Sequence, residues 1–317
     1  MNKVVDISVV VPLLNEEKNL PELLERLNIV LGSISSSYEI ILVNDGSSDG
    51  SLAIIEKEAN RNGHLKYISL SRNFGHQIAI FAGLEKTCGK LVVLIDGDLQ
   101  DPPETIRDLH TKIIEGYNVV YARRASRKGE GVMKKATAKL FYRILNRITY
   151  VHIPVDVGDF RIMDRKVVNE VLKMKEPNKF LRGQIAWLGL KESYLEFERD
   201  KRKGGSTHFS YRKMFHFAID GITGFSTFPL KFASILGIFV SLFAFLFIIY
   251  ILIDKLVLHH TISGWSSIMV TILFLGGVQL LSIGIIGEYM SRINDSVRSR
   301  QLYVIEKTNI EESEPDN

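Results

Sequence analysis

LVVLIDGDLQDPPE, residues 91–104, runs an apolar, β-branched stretch into two aspartates, Asp96 and Asp98, that flank Gly97. Such a stretch reads as a buried strand, and the acids stand where it ends. Like charges at this spacing repel, so a cation, hydrogen bonds or water must offset them. The same style recurs along the chain, in DISVVVP (6–12), YEIILVND (38–45), LKYISLS (65–71) and YNVVYA (117–122). Helical segments over 19–31, 51–62 and 105–115 lie between these strands. Strand and helix in alternation predict an α/β domain, a mainly parallel sheet with helices on both faces. No internal repeat is present.

Ligands of such sheets bind beyond the carboxyl ends of the strands. Four loops fall there: PLLNEE (12–17), VNDGSSDG (43–50), SRNFGHQ (71–77) and DGDLQD (96–101). Taken singly, Asn15, Ser48 or Asp101 would serve as an ordinary turn or helix cap. Four polar loops at one edge, three of them acidic, point to a site. Asp96 and Asp98 can aim oxygens at one hard divalent cation, and Gln100 adds a neutral oxygen on the same side by the period of two. Mg2+ or Mn2+ prefers such ligands and completes its shell with substrate phosphates. The expectation is a metal-bound diphosphate, although a helix cap with one exposed acid accounts for the D-x-D motif taken alone.

The chain has 317 residues, 46% of them hydrophobic, and a net charge of +4. That mild basicity reads as a solvated surface, and no nucleic-acid partner is expected. Cys88 is the only cysteine, which excludes internal disulfides and four-thiol zinc sites. The opening residues lack the long apolar region of a signal peptide, so the first part of the chain is expected in the cytosol.

After residue 231 the character changes. Residues 232–253 and 267–287 carry no charge and are each about as long as the roughly 20 residues needed to cross a bilayer. Two transmembrane helices are expected, joined by a short extracytoplasmic loop over 254–266. Arg212, Lys213 and Lys231 precede the first, and Arg292, Arg298 and Arg300 follow the second, so both flanks are placed on the cytoplasmic side. Residues 211–231 mix basic and aromatic side chains as an interfacial amphipathic segment would. Residues 288–317 are expected to form a cytoplasmic tail, acidic and disordered at its end. The basic segment 123–131 suits either a plain solvated loop or a mobile one over the site.

The motifs VVVPLLNEEKNL, ILVNDGSSDGS, SRNFGHQ, LIDGDLQDPPE, GDFRIMDR and RKGGSTHFSYRKM follow one another in the first 214 residues. Together they resemble the family 2 glycosyltransferases of GT-A fold. Within these they resemble the polyprenyl-phosphate enzymes, bacterial undecaprenyl-phosphate glucosyltransferase and dolichol-phosphate mannose synthase. The resemblance implies a membrane-bound, metal-dependent, inverting enzyme, multi-pass in the cell membrane, with a cytoplasmic catalytic domain over 1–210. Its donor would be a nucleotide sugar, UDP-linked by likeness to the bacterial two-span branch, and its acceptor a polyprenyl phosphate. Pro12, Asn15, Glu16, Asp45 and Asp96 would line the nucleotide pocket, with Asp45 on the base. Asp96, Asp98 and Gln100 would hold the metal and diphosphate. Asp159 matches the acid near the reacting carbon, and Arg202 matches a phosphate-binding residue. His208 departs from the lysine often found in that loop.

Two rival classes are weighed against this. A processive polysaccharide synthase needs more spans and a Gln-x-x-Arg-Trp motif, whereas GQIAWLG (183–189) has Ala186 in place of the arginine. An inactive membrane scaffold would be marked by a lost acid, yet Asp45, Asp96, Asp98 and Asp159 are all present. Gly276 and Gly277, with Gly284 and Gly287, allow close helix packing, so a homo-oligomer is the expectation for the spans. Replacing Gly277 with leucine should then shift the mass of the detergent-solubilised protein toward monomer, and an unchanged mass would refute it.

Overall fold

The computed structural model describes residues 5–124, 157–198, 226, 228–257, 264–298 and 300–311. In chain order the elements are β1 (Ile7–Leu13), α1 (Leu20–Ile34), β2 (Tyr38–Asn44), α2 (Ser51–Ala59), β3 (Leu65–Leu70), α3 (His76–Glu85), β4 (Leu91–Leu94), α4 (Thr105–Ile114) and β5 (Val119–Arg124). There follow β6 (Val157–Asp164), α5 (Arg165–Lys173), α6 (Leu181–Trp187), β7 (Glu192–Phe197), α7 (Phe228–Val257), α8 (Trp265–Arg298) and β8 (Ile305–Thr308).

One sheet carries the eight strands of the described residues, in the order β7-β5-β6-β4-β1-β2-β3-β8. β1 lies parallel to β2 and β4, and β2 parallel to β3, as the strand–helix alternation predicts. β6 and β8 are antiparallel to their neighbours, so the sheet is mixed. All seven residues of β1 are buried. A strand covered on both faces has no polar alternation to keep, which is why ISVVVPL reads as a nearly unbroken apolar run.

Each face has its own core. On one, α1 presents Leu20, Leu23, Leu24, Leu27, Val30 and Leu31, spaced three and four apart, toward Val9, Val11, Leu42 and Val93. On the other, α3 packs with α5 and α6 against Val10, Ile41, Val43, Val92 and Tyr121. Every residue of α3 from Ala79 to Leu84 is buried. β6 divides its side chains between the cores: Phe160 and Ile162 join the first, Met163 the second.

α7 and α8 belong to a second compact unit. They run for 30 and 34 residues, about 45 and 51 Å at 1.5 Å per residue. Both are long and apolar enough to cross a membrane. They overrun the uncharged stretches because backbone hydrogen bonding carries a helix on into polar sequence, as where Arg292 pairs with Glu288 one turn away at 3.1 Å.

Within residues 288–317, expected as a tail after the second span, the described part is structured. α8 continues to Arg298, and residues 300–311 then return to the sheet unit, where β8 pairs with β3. Residues 312–317 lie outside the described residues, as does the juxtamembrane stretch 211–225. The physical reason is an edge: β3 would otherwise end the sheet with unpaired backbone groups, and a short strand covers them. With only four residues, two of them charged, β8 has too little pattern to be read in advance.

Gly83 marks the closest approach of α3 to the sheet. A Cβ there would lie 2.4 Å from Val10 Cγ1 and 2.9 Å from Val43 Cγ2. Alanine would gain up to about 1 kcal/mol in helix propensity but incur about 1–3 kcal/mol of overpacking. Gly83→Ala should therefore lower stability, read as a drop in the denaturation midpoint of the purified chain.

Candidate active site

The loops after β1 and β2 are stitched together by their own polar side chains. Asn15, held at φ +58, accepts the Ser48 N–H at its Oδ1 (2.8 Å) and donates its own N–H to Ser47 Oγ (2.9 Å). Glu16 donates its N–H to Ser51 Oγ at 3.0 Å, and its carboxylate takes the Asn19 side-chain amide at 2.5 Å. Glu17 Oε2 accepts the Gly50 N–H at 2.8 Å. Pro12, buried near the end of β1, pairs in register with Val43. Pro12, Asn15, Glu16 and Asp45 thus share one sheet edge.

Asp45 is buried and turned toward the third loop. Its Oδ1 accepts the Phe74 N–H at 2.7 Å and its Oδ2 the Gly75 N–H at 3.0 Å. Burial raises its pKa, and the two backbone donors oppose that shift. Gly75 adopts φ +104, a conformation glycine takes without Cβ strain, and this turn lets α3 begin at His76.

In the fourth loop, β4 ends at Leu94 and residues 97–98 form a turn. Leu99 sits at φ +56, a left-handed conformation that costs a branched side chain of order 1–3 kcal/mol. The alternation expected to put Gln100 beside Asp98 therefore does not apply. Instead the Gln100 N–H donates to Asp98 Oδ1 at 3.1 Å.

Asp159 reaches this edge by strand register. β6 runs antiparallel to β4 with Leu94 opposite Arg161. Continuing the pairing by two residues brings Asp159 level with Asp96. His76 Nε2 stands 3.2 Å from Asp159 Oδ2 and 3.4 Å from Asp96 Oδ1, bridging the two. Gln77 Nε2 donates to the same Oδ2 at 3.1 Å, and Gln77 Oε1 accepts the Leu181 N–H at 3.2 Å. On the other oxygen, Arg161 and Arg182 donate to Oδ1 at 2.9 and 3.2 Å. Two carboxylates, of Asp96 and Asp159, thus stand against basic side chains: His76 meets both, and Arg161 and Arg182 meet Asp159.

Electrostatics follow from this geometry. Burial favours protonated Asp159, but Arg182, the His76 bond and Arg161 together hold its carboxyl well below the usual carboxylate range. Burial likewise disfavours charged His76, yet the Asp159 bond and the Asp96 charge prevail and raise its pKa to about 9. Asp96 and Asp98, half-buried and one residue apart at the end of β4, fit a divalent cation by donor chemistry, since Mg2+ and Mn2+ take carboxylate oxygens and complete their shell with water and phosphate. Among the described residues no group of three or more His, Cys, Asp or Glu is placed to hold a metal by protein ligands alone.

His76, Gln77, Arg161 and Arg182 were not singled out in the sequence. His76, Gln77 and Arg161 lie inside motifs quoted above, but which of their side chains face Asp159 depends on the antiparallel pairing of β6. Arg182 lies in a stretch with no motif at all. Arg202 and His208 fall outside the described residues.

The family model described as Glycosyl transferase family 2 matches residues 8–172, more than half of the chain. The chain is 46% identical over 308 residues to YkcC, an uncharacterized glycosyltransferase of Bacillus subtilis (strain 168), covering 97% of this chain and 95% of that protein. It is 40% identical over 302 residues to the SfII prophage-derived bactoprenol glucosyl transferase of Shigella flexneri, covering 95% and 98% of the two chains. Among solved structures, glucosyl-3-phosphoglycerate synthase of Mycobacterium tuberculosis with Mn2+, UDP-glucose and phosphoglyceric acid matches at TM-score 0.47 and 19% identity, over 69% of this chain and 78% of that one. The chain belongs to glycosyl transferase family 2: it is a glycosyltransferase with a GT-A-like catalytic sheet.

His76 contributes stability that is fully present below its unfolded pKa of about 6.5 and lost as the pH rises through about 9. Asp159→Asn removes the charge that holds the imidazolium, so the His76 titration, followed by NMR of labelled histidine, should fall from about 9 toward 6.5. The same variant leaves buried Arg161 uncompensated and should cost about 3–5 kcal/mol in denaturant unfolding.

Proposed function

We propose that this enzyme transfers a sugar, glucose first among candidates, from a UDP-sugar to a polyprenyl phosphate at the cytoplasmic face of the cell membrane. The observation that carries this reading is the occupancy of Asp159. Four side-chain donors meet its two oxygens, and its pKa is depressed, so it is a poor proton acceptor. A hydroxyl acceptor needs a base. A phosphate monoester, with a second pKa near about 6, is already largely a dianion at neutral pH and needs none. Likeness along the whole chain to a bactoprenol glucosyl transferase supports the same acceptor class.

In the proposed reaction a phosphate oxygen of the acceptor attacks the anomeric carbon as the bond to the UDP β-phosphate breaks. The electron pair leaves with UDP and no proton moves. The displacement is proposed as a single inverting step, which the resemblance implies. Asp96 and Asp98 would hold a Mg2+ or Mn2+ ion, which when bound neutralises charge on the departing diphosphate. Arg182, fixed by Asp159, and Arg202 supply positive charge for donor or acceptor phosphate. Pro12, Asn15 and Glu16 line the nucleotide side. Asp45 can accept a base N–H while it holds the third loop, since each carboxylate oxygen has two lone pairs.

The membrane arrangement is part of the proposal. α7 and α8 cross as a hairpin, with the 254–266 loop outside and the catalytic domain in the cytoplasm. Residues 211–231 lie along the headgroups. Support comes from the chain path, which leaves the sheet unit before α7 and rejoins it after α8, and from Lys231, Arg292, Arg298 and Arg300 at the two ends.

Purified protein given undecaprenyl phosphate and a panel of labelled sugar nucleotides should move label into the organic phase. Chelator should stop the transfer, and Asp98→Ala should lower kcat by about 100-fold or more. Transfer to a hydroxyl acceptor alone would overturn the reading.

A further inference from the structure

The transfer reaction assigns no role to the segment that follows α8, yet residues 300–311 bond to β3, to the loop after it and to α3. β8 sets Thr308 opposite Ile68, Lys307 opposite Ser69 and Ile305 opposite Leu70. Past the end of that ladder, the Asn309 side chain takes over from the backbone. Its Oδ1 accepts the Tyr67 N–H at 2.8 Å and its Nδ2 donates to Leu65 O at 3.1 Å, while Thr308 Oγ1 donates to Tyr67 O at 2.7 Å.

Toward the site, the contacts leave the ladder. The Ser71 N–H, at the first residue of the third loop, donates to Val304 O at 3.0 Å. Tyr303 donates its hydroxyl to Glu85, the last residue of α3. Tyr303, Ile305 and Ile310 also pack on the core that contains Ile68, Leu70 and Ile80. The segment therefore grips β3 before the loop, the loop's first residue, and the far end of the helix behind it.

What lies between those grips is the active site's own framework. Phe74 and Gly75 donate their N–H groups to Asp45, and His76 and Gln77 meet Asp159. Covering the β3 edge would need only the ladder. The contacts at Ser71 and Glu85 bracket the loop and helix that carry these donors.

We propose that residues 300–311 act as a clasp that positions the 71–77 loop for catalysis, with Tyr303 and Asn309 as positioning residues. The activity part of this rests on the transferase reading given above; the structural part does not.

The test uses the full-length chain with Tyr303→Phe and Asn309→Ala, singly and combined. Glu85→Gln, which keeps an acceptor for the Tyr303 hydroxyl, serves as the conservative variant. Lys307→Ala is the control, because its partner Glu56, at 3.0 Å, belongs to α2 and not to the loop. Amide exchange at 74–77 should quicken about tenfold or more in the double variant, while β1 and β4 stay protected. With the proposed donor and acceptor, kcat should fall about tenfold while donor KM changes less than about threefold. Glu85→Gln should fall between the wild type and Tyr303→Phe, and Lys307→Ala should match the wild type. Unchanged exchange at 74–77, or exchange that rises equally across β1 and β4, would overturn the clasp. If the wild type moves no sugar to polyprenyl phosphate, the exchange data alone decide the clasp, so failure of the reaction assignment and failure of the clasp are told apart.

Discussion

Asp159 and the basic groups around it are the constraint on which the site depends. Arg161 is fully buried and Asp159 nearly so, and neither charge would be tolerated there alone. Desolvating each costs several kcal/mol, which only a close partner with further hydrogen bonds offsets. The pair forces β6 to bring both residues to the same face, and that face is the one covered by α3 and α6. Arg182 from α6 and His76 and Gln77 from α3 then complete the carboxylate's shell. A catalytic edge built from three elements far apart in sequence is in this way held by one anion.

The same constraint bears on chemistry. A carboxylate held well below its usual pKa by two guanidinium groups and an imidazole is suited to orienting charge and unsuited to removing protons. The acceptor proposed for this enzyme brings its own negative charge. Arrangement and acceptor are therefore consistent, because the protein need only place phosphates and stabilise a leaving diphosphate.

Much of the fold was legible because its signals are local. β1 to β5 are apolar runs bounded by turns, and α1, α2 and α4 fall within a few residues of their sequence-predicted spans. α3 was harder: a helix buried nearly all round shows no amphipathic period to distinguish it from a buried strand. β6, β7 and β8 were missed for a different reason. Antiparallel insertion of β6 and edge addition of β8 are matters of pairing partner, and a strand's own residues do not name its partner.

The candidate site divides in the same way. Asp45, Asp96 and Asp98 were legible at strand ends, since βα loops gather at one edge whatever the details. Gln100 was placed by an alternation that the turn at 97–98 and the left-handed Leu99 abolish. By itself the sequence determined the family, the α/β layering and two helices long enough to cross a bilayer, because these follow from local pattern and motif spacing. Only the tertiary structure decided that Asp96 and Asp159 stand level, that His76 bridges them, and that the segment after α8 returns to grip β3 and α3. Each of these depends on strand register and on contacts between residues from about 20 to more than 200 positions apart, where no local rule reaches.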